Sequence, residues 1–245
     1  MILGFDTATR ATTVALWDPP AGAVEHAARD DPARGEQPRH TTRLLPLIVE
    51  LLDRADVGWG QIERIAVGVG PGTFTGLRIG VATARALCRA LEIPLVGVST
   101  LESLAVGAQL DPTSVRSPID AVVAVIDARR GEVFAAGWRI GDSLLERERT
   151  PLLAPRALGP EALAALIPGL APSTLAVGDG AVEFRTILER SGALIPEDDC
   201  ELHRVNAVDH CRLASGRRGC APDQVQPEYL RLPDAEIAHR AAGKK

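Results

Sequence analysis

The sequence predicts an α/β fold in which one strand-rich unit occurs twice, and three observations carry that expectation. ILGFDTATRATTVALWD near the start and VVAVIDARRGEVFAAGWR near the middle share a plan: apolar strand, aspartate, short turn, second strand. IAVGVGPG and LAVGDGA share another, a strand that enters a glycine turn and then a helix. The paired stretches lie roughly 110–120 residues apart, the spacing of a duplicated domain rather than of a short-repeat array.

In the first copy, residues 1–5 form an apolar run that ends at Asp6. After a turn over residues 7–10 a β-rich run, 11–17, completes a hairpin. Residues 26–40 are polar with Pro and Gly and read as a loop. Thr41 or Thr42 can cap a helix that runs to about residue 55. Its Leu44, Leu45, Leu47, Ile48, Leu51 and Leu52 cover one broad face. Pro46 fits its first turn or bends it slightly. A buried-type strand over 62–69 leads through the glycine turn into a helix that reaches residue 91 and stops near Pro94. A strand over 95–98 and a helix over 101–107 follow. The second copy restarts with a strand over 121–126 that ends at Asp127, a turn over 128–131 and a strand over 132–140. A helix over 161–167, a strand over 175–177, the turn Gly178-Asp179-Gly180 and a helix over 181–191 complete it. Residues 196–225 carry only a weak pattern. The chain therefore divides into 1–108, a smaller second unit 109–232 whose late helix is free to pack back on the first, and a frayed tail 233–245. Duplicated units of this kind occur in the actin-like ATPase fold, where nucleotide sits between the halves; at this point that is analogy.

Composition narrows the function classes. Of 245 residues 46% are hydrophobic and only 3% aromatic, so Ala, Val, Leu and Ile must build the core. The net charge is -5 with no basic stripe, which disfavours direct RNA binding by this chain alone. Cys88, Cys200, Cys211 and Cys220 follow no CxxC rhythm and are expected as reduced thiols, so the chain reads as cytoplasmic. No signal-peptide pattern and no membrane-length apolar run is visible.

The glycine turn VGVGPGTFTG fits neither phosphate-binding template. GxxxxGK[ST] fails because Thr75 stands at its second glycine and no Lys follows, and GxGxxG fails at Thr73 or Thr75. Anion binding at the following helix N-terminus and a plain strand-to-helix connection both remain open. On the helix itself, at 100° per residue, Gly76, Gly80, Ala84 and Cys88 form a smooth ridge spanning about 120°. Phe74, Leu77, Val81, Leu87 and Leu91 surround it. Only Arg78, Arg85 and Arg89 make a narrow polar line, so the helix should be covered on two sides.

These residues resemble the TsaB (YeaZ) family across nearly the whole chain. The matching stretches are ILGFDTAT, HTTRLLPLIVELL, IAVGVGPGTFTGLRIGVATARAL, IPLVGVSTLESLA, VAVIDARRGEVFAA and PEYLR. The resemblance implies a duplicated actin-like ATPase (ribonuclease H-like) fold with a reduced second half. It implies a non-catalytic subunit that pairs with the larger paralogue TsaD and works with the ATPase TsaE. Together they support threonylcarbamoyl transfer to a tRNA adenosine beside the anticodon, with tRNA met only through the complex. It also implies pairing with TsaD, or as a homodimer, through the first two helices. On this chain the contact residues expected are Leu44, Leu45, Ile48, Leu52, Phe74, Gly76, Leu77, Gly80, Val81, Ala84, Leu87 and Cys88. On that reading Gly80→Arg should abolish pairing and leave the monomer folded.

The rival reading is an actin-like phosphotransferase (kinase), in which an Asp and a glycine-rich turn from each half hold Mg²⁺ and phosphates. Asp6 and Asp127 are suitably placed. Yet Thr7-Ala8-Thr9 and Ala128-Arg129-Arg130 put side chains where backbone should approach phosphate. Asp6, Thr7, Asp127, Gly178, Asp179 and Gly180 are retained as weak nucleotide contacts. No cofactor is expected to be required by the chain itself, though ATP or ADP at the joint with a partner stays open. The close His pair that TsaD-type relatives use for metal is absent after His40. Cys200, His203, His210, Cys211 and Cys220 lack a zinc rhythm, so no metal is expected. Ser99 and Ser103 show no His and acid partner in sequence, which speaks against a peptidase.

Overall fold

In a computed structural model, residues 1–18, 26–33, 35–110, 118–141 and 150–231 are described. The expected tail 233–245 lies outside them. The first hairpin pairs β1 (Ile2–Asp6) with β2 (Thr12–Trp17) antiparallel. β1 also pairs parallel with β4 (Arg64–Gly70), which pairs parallel with β5 (Leu95–Ser99). β3 (His26–Asp30) adds to β2, giving the order β3-β2-β1-β4-β5. The loop expected over 26–40 thus begins with an edge strand. Backbone pairing with β2 overrides its polar composition, as edge positions allow.

The second sheet repeats this plan. β6 (Ala121–Arg129) pairs antiparallel with β7 (Glu132–Arg139) and parallel with β9 (Thr174–Val177), and β7 carries β8 (Leu153–Leu158). Its order, β8-β7-β6-β9, matches the first sheet without a counterpart of β5 among the described residues. This is the duplicated actin-like fold with a reduced second half.

Strand alternation sorts the core into layers. Leu3, Phe5, Ile65 and Val67 face α1 (His40–Ala55) and α2 (Phe74–Leu91), which cover the outer side of the first sheet. Ile2, Ala66 and Val96 face the opposite way, onto α7 (Ala207–Ser215). α7 belongs to the segment with the weak sequence pattern, yet it packs on the first sheet. Gly4 makes this close approach possible, since a Cβ there would overlap Cys211 and come within 2.8 Å of the Ala207 carbonyl. α3 (Thr100–Leu110) packs beside α7 and contributes Leu101, Leu104, Ala105 and Ala108 to the core of the second sheet. α4 (Pro160–Leu166), α5 (Asp179–Glu183) and α6 (Arg185–Arg190) lie on that sheet's far side. The single helix expected over 181–191 is two short ones, broken at Phe184, whose φ of -109° is not helical.

Two details of the first two helices correct the sequence reading. α1 has no threonine cap: Arg39 precedes it, and Thr42 donates back to the Arg39 carbonyl at 3.2 Å from within the helix. The ridge on α2 faces inward. Gly76, Gly80, Ala84 and Cys88 are all buried, as are Leu77 and Val81. A Cβ on Gly76 would overlap the Thr7 carbonyl oxygen, and one on Gly80 would lie 2.5 Å from Thr7 Oγ1. Small residues here let α2 sit down on the β1–β2 turn. Leu44, Ile48 and Leu52 are likewise buried in the core that α1 shares with the sheet.

Candidate functional site

Two places were expected to carry function: the cleft between the halves, and the surface of α1 and α2. At the cleft the structure separates the expected residues. Asp6 and Thr7 are buried and committed to other partners. Thr7 Oγ1 donates to the Gly76 carbonyl at 2.7 Å, which fixes the start of α2. Asp6 accepts from the Ala8 amide at 2.6 Å, the Thr100 hydroxyl at 2.8 Å and His210 Nε2 at 2.9 Å. Burial pushes the Asp6 carboxyl up, but the bond and charge of His210, the Ala8 amide and the Thr100 hydroxyl outweigh it, and the net shift is downward. A carboxylate so saturated has no free lone pair turned to solvent for Mg²⁺ or for a nucleophile's proton. A Cβ at Gly68 would overlap this carboxylate, so the glycine makes room for Asp6 rather than for a phosphate.

The same network supplies Ser103 with partners that the sequence did not reveal. Ser103 Oγ lies 2.8 Å from His210 Nδ1, so Ser103, His210 and Asp6 form a hydrogen-bonded line. All three are fully buried, and no substrate reaches the hydroxyl. The line joins α3, α7 and β1. It was illegible in sequence because Ser103 and His210 lie 97 and 204 positions from Asp6.

In the second half, the Asp127 amide donates to Asp179 Oδ1 at 3.0 Å, and Asp127 pairs with Arg129 at 3.0 Å. Burial, with Asp127 close by, raises the Asp179 carboxyl to about 6. Water reaches this side chain at the cleft lip, and its screening limits the effect. Gly178 and Gly180 serve packing. A Cβ on Gly178 would overlap the Val125 carbonyl, and one on Gly180 would lie 2.9 Å from the Asp127 amide. The Gly178 amide donates to His203 Nδ1 at 3.1 Å, leaving Nε2 to donate to the Pro196 carbonyl at 3.2 Å. Burial accordingly lowers the His203 pKa and favours the neutral ring. The open cleft beside these groups, about 690 Å³, is lined by Arg10, Asp127, Arg129, Asp179 and Arg204 among others. It mixes both charges, and among the described residues its lining includes the His203 ring but no Phe, Tyr or Trp. Among the described residues no three His, Cys, Asp or Glu side chains converge on a cation position. His203 and His210 are each engaged elsewhere.

The outer surface of the helix pair has a different character. On α1, Leu45 is 48% and Val49 44% exposed. These two and Thr42 repeat at three- and four-residue spacing, so they share one face. On α2 the solvent side carries Thr75, Ala82 and Ala86, with Ile79, Thr83 and Leu87 half-buried towards α1. Of the contact residues expected from sequence, Leu45 stands on this surface, with Phe74 and Leu87 half-buried at its margins. The remaining nine are inside the chain. The sequence did not single out Val49 on α1 or Ile79, Ala82 and Ala86 on α2 as surface residues; on α2 both sides are small and apolar, and only the sheet decides which side is inside.

The arginine line of α2 is covered by a segment of the chain itself. Arg78 Nε donates to the Tyr229 hydroxyl at 3.2 Å, Arg85 Nε to the Val225 carbonyl at 3.0 Å, and Arg89 pairs with Asp223. This is the second cover that the all-round apolar character of α2 called for. No described helix is long and apolar enough to cross a membrane.

Residues 35–150 match the protein-family model described as TsaD, tRNA N6-adenosine threonylcarbamoyltransferase. The chain is 32% identical to the tRNA threonylcarbamoyladenosine biosynthesis protein TsaB of Escherichia coli (strain K12), over 94% of each chain. It is 38% identical to the protein of that name from Bacillus subtilis over 109 residues, 44% of each chain. The solved structure of YeaZ from Pseudomonas aeruginosa superposes with a TM-score of 0.72 at 30% identity, covering 94% of this chain and 99% of that one.

Proposed function

This chain belongs to the TsaB (YeaZ) family, and from that premise we propose that it is a non-catalytic subunit in tRNA threonylcarbamoyladenosine biosynthesis. On this reading it activates a TsaD-type transferase by pairing with it through the outer face of α1 and α2, and TsaE joins the assembly they form. The observation that carries the reading is the contrast between the two candidate sites. The aspartate that a phosphotransferase would turn to its nucleotide is buried and spent on His210, Thr100 and Ala8. The helix pair meanwhile presents Leu45 and Val49 to water.

The match of residues 35–150 to the TsaD family model supports the choice of partner, because that stretch contains both helices. A transferase with a similar helix pair can meet this one about a pseudo-two-fold axis, the geometry that equivalent patches favour. The same patch serves for a homodimer when the transferase is absent. Threonylcarbamoyl transfer to tRNA, reconstituted from purified components with and without this chain, tests the reading. Transfer should require the chain together with the transferase, and the chain alone should transfer nothing. Transfer by the chain alone, or a rate unchanged by leaving it out, would overturn it.

A further inference from the structure

The only tyrosine of the chain, Tyr229, is 40% exposed yet firmly held. Its ring lies 5.1 Å from that of Phe74 at an interplanar angle of 34°. The Arg78 guanidinium stands 3.7 Å above the Phe74 ring, and its Nε reaches the Tyr229 hydroxyl. The backbone on both sides is fixed. The Glu228 amide donates to the Val69 carbonyl at 2.7 Å, and Val225 is buried in the core beneath α2. Cys220 and Leu95 exchange two backbone hydrogen bonds, of 2.9 and 3.1 Å. Leu230 packs on the core of the second sheet, and Arg231 pairs with Glu132 at 3.0 Å. Residues 220–231 therefore form a strap that runs from the edge of the first sheet, along the arginine line of α2, to the β6–β7 hairpin.

Around the axis of α2, Phe74 and Arg78 lie about 40° apart, and Ala82 lies about 40° beyond Arg78. Tyr229 thus stands beside the solvent face of α2, on the side away from α1. An aromatic ring already ordered by a second ring and by an arginine loses little freedom on binding. Tyr and Arg are enriched among the few residues that carry most of the binding energy at protein interfaces, and pre-ordering lowers the cost of burying them.

We infer that the strap is part of the partner surface, with Tyr229 as an anchor that the transferase subunit buries together with Leu45 and Val49. This rests on the pairing reading above and extends it, because the interface then requires residues that follow the second half in sequence. The strap also ties α2 to the β6–β7 hairpin, so the same contact holds the halves in one arrangement when the partner is seated.

The chain's lone tyrosine permits a test on the unaltered protein. Tetranitromethane nitration of Tyr229 is followed by peptide mass spectrometry, in the free chain and in its complex with the TsaD-type paralogue of the same organism. The expected result is modification in the free chain and protection in the complex. In parallel Tyr229→Ala should weaken the complex by about tenfold or more, while Tyr229→Phe, which keeps the ring, stays close to wild type. A complex that forms with Tyr229 nitrated as in the free chain, and with Tyr229→Ala binding normally, would overturn the strap's role and leave the helix-pair reading standing. Failure of the wild-type chain to form any complex would overturn both.

Discussion

His210 closes a buried contact that no short-range pattern could announce. It donates to Asp6 from one ring nitrogen and meets Ser103 with the other, and none of the three side chains sees water. Removing the ring while leaving the carboxylate inside strands a buried charge, which costs about 3–5 kcal/mol. His210→Ala should lose that much in urea-denaturation free energy; a loss within about 0.5 kcal/mol, the range of a surface change, would contradict the account. Asp6, with its folded value held below the ordinary 3.8, adds stability that is present above that value and lost as the pH falls through the folded one. His40 and His203 act in a higher window. Burial lowers both below 6.5, so the unfolded chain binds protons more readily than the folded one. Their effect is stability that falls as the pH drops below about 6.5. Asp179, raised to about 6, has the opposite slope between 3.8 and 6. The urea midpoint of His203→Gln measured against wild type should therefore fall less between neutral pH and pH ~5; identical slopes would contradict the assignment. Asp6 itself was legible from its place at the end of the first strand. Its occupation was not, because the histidine that fills the site lies 204 positions away.

At the scale of elements, α2 shows what a pattern can and cannot decide. Its glycines, its length and its nearly all-round apolar surface predicted a helix covered twice, and both covers exist. The sheet takes the ridge of Gly76, Gly80, Ala84 and Cys88, and the strap takes Arg78, Arg85 and Arg89. Which small-residue side faced inward was undecidable, because Ala82 and Ala86 look much like Ala84 and Gly80 until a sheet is placed beside them. The consequence reverses the expectation for Gly80→Arg. With Thr7 Oγ1 at 2.5 Å from the new Cβ, the substitution should damage the fold itself. Even Gly80→Ala is expected to cost about 1–3 kcal/mol by overpacking, read as a lowered melting temperature. An unchanged melting temperature would show that the ridge is free after all. α7 is the late helix expected to pack back on the first unit, but the weak pattern of residues 196–225 left its position unmarked. Ala207, Val208, Asp209, His210, Cys211, Leu213 and Ala214 are all buried against the first sheet and α3, so only Arg212 and Ser215 were left to mark a polar side. The hairpins β1–β2 and β6–β7 were plain in sequence because each ends a buried run with an aspartate and a turn.

Across the whole molecule, the two sheets repeat one topology beside a cleft of mixed charge. The first half keeps its aspartate buried under α7. The second half has shortened its helices and has no counterpart of β5 among the described residues. What both halves support is the outer helix pair and the strap that binds it to the second sheet. Light scattering of this chain mixed with the TsaD-type paralogue, for the wild type and for Leu45→Arg, tests that conclusion most directly. Leu45 is 48% exposed, so the substitution should leave folding stability within about 0.5 kcal/mol. The account predicts a one-to-one complex with the wild type and separate components with Leu45→Arg. A complex that survives a charged arginine at that position would contradict it and move the partner surface away from α1.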